Sequence, residues 1–176
     1  MGSFFGLIVL VAVNWAFSAL IVYGAELSPL PILLMPFTFG VVLTRLLSPV
    51  ENSNWCRSSI TGLLFIAVFL VSSLGALALT KGLFGTDDAL PFLSSPTAVL
   101  LVLLVLSRWN GISGLWRLAG PVAGLGIAAT YLGDWLARLE LHGWLATLTT
   151  LPFVWQTAVG GPLVLLRREA SFAAIE

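Results

Sequence analysis

The chain has 176 residues, 59% of them hydrophobic and 9% charged, with a mean hydropathy of +1.03. Soluble domains carry about 25% charged residues, so this composition excludes a soluble globular protein and predicts an integral membrane one. Eight Lys and Arg balance eight Asp and Glu, and a net charge of zero excludes a basic nucleic-acid binder.

About 20 apolar residues cross a bilayer core of about 30 Å, and the chain divides into six such runs. The expectation is one all-α transmembrane domain over residues 1–176, a polytopic bundle of six helices. The first run, about 4–23, follows an N-terminus with no basic region and leads to no small-residue cleavage motif, so it reads as a retained helix rather than a signal peptide. Gly6 stands where a myristoylation pattern needs Ser or Thr. At the centre of the run, Ala12 and Ala16 form a small-xxx-small pair around Asn14. That pattern suits a docking face for a partner helix, or internal packing, and Asn14 must find a hydrogen-bond partner either way.

The second run, about 29–47, carries Pro29 and Pro31 in its first turn, where a missing N–H matters little, and Pro36 inside, which predicts a kink. Cys56 precedes the third run, about 58–80. As the lone cysteine it excludes an intramolecular disulfide and a cysteine metal cage. The fourth run, about 90–107, is short if its helix starts at the Ser95-Pro96 cap. From Pro96 to Ser107 there are 12 residues, or roughly 18 Å of helix. It spans only if the helix takes in residues 91–95 or continues past Trp109.

The fifth run, about 115–135, opens with Gly120-Pro121-Val122-Ala123-Gly124, a GxxxG face for close helix approach. It ends at Asp134, with Arg138, Glu140 and His142 beyond. Asp134 and Arg138 are four apart and pair on one face. The group reads as a polar site at an outer mouth, or as a helix end emerging into water. The sixth run, about 143–166, holds Gln156 near its centre, and Gly160-Gly161-Pro162 predicts a bend. Asn14, Thr38 and Gln156 together suggest a polar seam inside the bundle, serving a pocket or a permeation path; scattered interhelical hydrogen bonds fit the same residues.

Charge placement orients the chain. With the N-terminus inside and six crossings, Arg45, Arg57, Arg108, Arg117, Arg167 and Arg168 face the cytoplasm, against Lys81 and Arg138 outside. Basic residues favour the cytoplasmic side, which predicts both termini there. Trp55, Trp109 and Trp116 fall at the inner interface, and Trp135 and Trp144 at the outer one. Trp15 and Trp155 lie mid-span, where an indole N–H needs a buried partner.

No ionisable residue occupies the middle of any run, which argues against a proton-coupled carrier. A single His and a single Cys, with no carboxylate pair, leave no catalytic set and no metal or haem site. The chain therefore reads as no enzyme, with no cofactor. The first reading is a non-catalytic membrane subunit or scaffold that docks other integral membrane proteins; the alternative is a small-solute transporter or its substrate-binding component. Arg in place of Lys and an Ala- and Leu-rich composition point to a bacterial inner membrane.

Two bacterial families share the plan of six helices in a chain of this size. The Ala12-xxx-Ala16 pair is similar to the first-helix docking face of the substrate-capture components of energy-coupling-factor transporters. The segment from Pro162 to Arg167-Arg168 resembles the basic inner end of MreD-type rod-shape subunits. These resemblances imply a membrane complex subunit in either case, and no functional residue is carried over from them.

Overall fold

A computed structural model describes residues 3–24, 30–48, 54–83, 90–112, 114–139, 141–142, 144–148 and 150–172. Glu26, Pro29, Asp87, Asp88, Glu140 and Gly143, which the sequence places at run ends, lie outside the described residues. The described chain is all helical. Its α-helices are α1 (Ser3–Gly24), α2 (Leu30–Leu47), α3 (Trp55–Leu83), α4 (Leu90–Leu104), α5 (Ala119–Ala137), α6 (Trp144–Leu148) and α7 (Leu151–Phe172). Among the described residues two segments, Phe4–Tyr23 and Trp55–Gly82, are long and apolar enough to cross a membrane, and Ile32–Leu47, Leu93–Trp109 and Leu151–Leu166 are shorter apolar helices.

The helix of the fourth run does not begin at the Ser95-Pro96 cap. It starts at Leu90, takes in residues 91–95, and passes without a break into a π-helical turn over Val105–Trp109. The turn closes with the Asn110 N–H donating to the Val105 carbonyl at 3.3 Å. Gly111 and Gly114 then adopt φ of 67° and 79°, left-handed values that a side chain disfavours, and reverse the chain into a short 3-10 helix at Leu115–Leu118.

The sixth run departs from its predicted form. Instead of one helix over 143–166, α6 stops at Leu148 and α7 begins at Leu151. Pro152 explains the break: with no N–H it cannot bond back into the preceding turn, but it fits the first turn of a new helix. Further along, α7 is unbroken through Gly160-Gly161-Pro162. The two glycines serve packing. A Cβ on Gly160 would lie 2.8 Å from the Phe39 ring and 2.9 Å from Leu10, so α1, α2 and α7 meet there.

Contacts run α2 to α3, α3 to α4, α4 to α5, α5 to α7 and back to α2, closing a five-helix ring. Helix α1 lies against α2 and α7 and seats Leu10, Asn14 and Ser18 against them. Where α1 begins, Gly6 faces Leu46 and Val164; where it stops, Ser18 meets Thr150. We call these the near and far ends.

The near half is filled by an apolar core that includes Leu43, Leu47, Leu103, Leu106, Val159 and Leu163. Its polar ties sit at the end of the bundle. Thr61 and Asn110, both buried, exchange two hydrogen bonds at 3.3 and 3.1 Å. The Arg57 guanidinium donates to the Trp109 carbonyl, from Nε at 3.1 Å and from Nη2 as well. Arg45 lies over the Trp55 ring at 3.8 Å, a cation–π contact. The far half is less completely filled.

Candidate functional site

Helices α2, α3, α4, α5 and α7 surround a cavity of about 160 Å³ in the far half. Phe39, Phe65 and Val102 line its deep end. The two phenyl rings stand edge to face, with centroids 5.7 Å apart and planes at 61°. Its walls also carry Ser72 and Ser73 from α3, Ser94 and Ser95 from α4, Thr130 from α5, and Trp155 and Gln156 from α7. Ile32, Phe69 and Leu151 line it too and are exposed, so the cavity opens toward the far end and the outer surface of the ring.

One wall is held by a hydrogen bond. The Trp155 indole N–H donates to Ser95 Oγ at 2.8 Å, joining α7 to α4. Glycine makes room for that pair: a Cβ on Gly126 would lie 2.5 Å from Ser95 Oγ and 3.2 Å from Trp155 Nε1. The mid-span tryptophans thus part company. Trp155 has the partner its position calls for, whereas Trp15 is exposed on α1.

Gln156 is 5% exposed, and its Oε1 has no hydrogen-bond partner. An amide oxygen left unsatisfied in an apolar interior costs about 1–3 kcal/mol. Asn14 does better, donating from Nδ2 to Thr157 Oγ1 at 3.4 Å, so its amide serves the α1–α7 packing. Thr38 turns its hydroxyl onto its own helix, donating to the Leu34 and Met35 carbonyls at 3.0 Å. Of the three groups in the expected seam, Gln156 alone lines the cavity. The two serine pairs and Thr130 are the polar cavity residues that sequence reasoning missed. Serines in apolar runs were their only signal.

The expected docking residues separate in the same way. Ala12 and Ala16 are exposed on α1, while Asn14 between them is buried. Gly120 and Gly124 are exposed, and a Cβ on either would meet nothing within 4 Å among the described residues. Ala128, one further turn along α5, is exposed as well. At the far end, Asp134 and Arg138 form an ion pair at 2.7 Å with both side chains largely in the open, and His142 lies exposed in the segment beyond α5. An exposed pair of this kind is worth about 0–1 kcal/mol, and it anchors a helix end. Among the described residues no cluster of His, Cys, Asp or Glu is arranged to hold a metal.

No family model matches the chain, and neither a curated protein nor a solved structure matches it, so the resemblances in its first and last helices go no further.

Proposed function

We propose that this chain is a non-catalytic subunit of a bacterial inner-membrane complex, a six-span bundle that docks other integral membrane proteins through the outer face of α5. The observation that carries the reading is the open stripe of Gly120, Gly124 and Ala128. Gly40, Gly62, Gly126, Gly133 and Gly160 are each closed over by a neighbouring helix. The α5 stripe instead leaves a shallow groove on the surface. In lipid, a groove of this kind lets a second helix approach closely and gain dispersion contacts that tails do not match. Ala12 and Ala16 on α1 give a second, smaller face.

Replacing Gly124 with Leu fills the groove without touching the chain's own packing. Copurification of the tagged chain from native membranes is expected to lose its stoichiometric partner at least tenfold in Gly124→Leu, with thermal stability unchanged. Partner recovery equal to wild type overturns the docking face.

Six crossings and cytoplasmic termini rest on the six-to-two division of basic residues. Helix α4 and its π-helical turn run from Leu90 to Trp109, about 30 Å of helix, which is long enough for the weakest span. Exposed Cys56, at the near end, is the natural probe. In oriented cells a membrane-impermeant maleimide is expected to label it only after permeabilisation. Labelling of intact cells reverses the topology.

A second reading, a solute-binding component of a transporter, is favoured by the cavity among α2, α3, α4, α5 and α7.

A further inference from the structure

We infer that the near end of the bundle binds the phosphate group of an anionic membrane lipid, seated at Arg57 and Arg108 beside the Trp109 carbonyl. The inference rests on the membrane reading of the chain and needs neither the docking face nor the cavity.

Charge comes first. Residues 45–57 and 105–118, which join α2 to α3 and α4 to α5 at this end, carry Arg45, Arg57, Arg108 and Arg117. The same two stretches hold a single acid, Glu51, which lies outside the described residues. One carboxylate balances one of the four. The tail of the chain is balanced in itself, with Arg167 and Arg168 against Glu169 and Glu176. The surplus of positive charge therefore belongs to these two stretches.

Geometry comes second. Arg57 is half-buried, and its guanidinium donates to the Trp109 carbonyl from both Nε and Nη2. That acceptor is neutral, so it fixes the cation in place and leaves its charge uncancelled. The other N–H groups of the planar fork stay open, in the arrangement that suits a phosphate. Arg108 directly precedes Trp109 in the π-helical turn and is exposed, and Arg117 is exposed on the 3-10 helix. Among the described residues no carboxylate lies against any of the three; Asp134, paired with Arg138, is at the far end.

Depth comes third, and it points to a lipid rather than a soluble anion. Trp55, Trp109 and Trp116 are exposed, and each stands within two residues of one of these arginines. Indoles collect at the headgroup level, which puts the guanidinium groups at the level of the lipid phosphates. One step deeper, Ile60 and Leu63 on α3 and Leu100 and Leu104 on α4 are exposed. They give the tails an apolar surface to pack on.

An arginine at an anionic bilayer surface adds about fivefold to affinity, so two predict a preference of about 25-fold. The full chain, purified in a mild neutral detergent, is offered phosphatidylglycerol and phosphatidylcholine in equal amounts. Native mass spectrometry counts the lipid retained, and phosphatidylglycerol is expected to lead by that factor. Arg108→Gln should cut the preference about fivefold with Tm unchanged, since that exposed side chain has no ion pair among the described residues to lose. Arg57→Lys should keep most of the preference and Arg57→Gln should not, which separates charge from the hold on the Trp109 carbonyl. Lys81→Gln, at the far end, should change nothing. Equal retention of the two lipids, or a preference untouched by Arg57→Gln and Arg108→Gln, overturns the site. Inorganic phosphate that displaces the retained lipid at equal concentration would assign a soluble anion, and a polyglutamate peptide that does so would assign an acidic protein segment; either overturns the lipid. Alkaline extraction of native membranes keeps the two readings apart. A chain released by it ends the membrane reading and this site together, whereas equal lipid retention by a chain that resists it ends this site alone.

Discussion

Replacing Gly62 with Leu is expected to be the most damaging single change in this protein, while the same change at Gly120 is expected to be neutral or mildly stabilising. A Cβ on Gly62 would sit 2.6 Å from the Phe37 ring and 2.8 Å from the Phe37 backbone oxygen. The ring has some freedom to turn. The carbonyl moves only if α2 and α3 separate. Gly40 closes the same seam from α2, with its own Cβ position 3.1 Å from Gly62 Cα. These two helices share the most extensive interface in the bundle, so prising them apart unpacks the Phe65 wall of the cavity as well. Overpacking a well-filled interface costs about 1–3 kcal/mol and occasionally more; a full leucine against backbone belongs at the upper end. Alanine is the finer probe. Gly120→Ala has nothing to strike and is expected to stabilise by up to about 1 kcal/mol through helix propensity, whereas Gly62→Ala destabilises despite the same propensity gain. Denaturant unfolding in micelles measures both, and a stabilised Gly62→Ala would show that the close α2–α3 approach is wrong.

The second large effect is expected at Phe39, which is 2% exposed and contacts α3 and α7 at once. Its ring meets Phe65 edge to face, and it fills the space that Gly160 leaves. Phe39→Ala removes these contacts and enlarges the cavity from its deep end. Truncations of buried Phe cost about 3–5 kcal/mol. In lipid the transfer part of that cost shrinks, because tails are as apolar as the core, so a loss of about 3 kcal/mol is the expected value. Unfolding midpoints measure the loss. An unchanged midpoint would mean that Phe39 does not pack as a keystone between α2, α3 and α7.

The contrast between these glycines shows where sequence reading reaches its limit. Gly120-xxx-Gly124 is legible as a close-approach motif, yet nothing among the described residues approaches it. Gly40 and Gly62 form no motif at all, because the two halves of their contact lie on different helices. Gln156 was legible as a polar group in an apolar run that needed a partner, and Asn14 was legible for the same reason. Their different fates were not. Asn14 comes to face Thr157 across one interface, while Gln156 lines a void walled by five helices. Thr38 joins neither, since its hydroxyl bonds its own helix first. The break before α7 had a local cause in Pro152 and was readable in principle. The long Gly- and Thr-containing apolar run around it masked the signal.

The sequence by itself determined the helical character of the chain and roughly where α1, α2, α3 and α5 stop, but not the break between α6 and α7. Those properties depend on local composition, on proline and glycine positions, and on where charges interrupt the apolar runs. Only the tertiary structure decided which face of each helix turns inward. In a soluble helix a polar face marks the outside. Here apolar side chains such as Phe4, Leu63, Val71 and Leu74 stand exposed while others of the same type are buried. With no inside–outside contrast in the sequence, helix rotation is settled by steric fit between partners distant along the chain, such as Gly40 with Gly62 and Gly126 with the Trp155–Ser95 pair. The cavity follows from that fit.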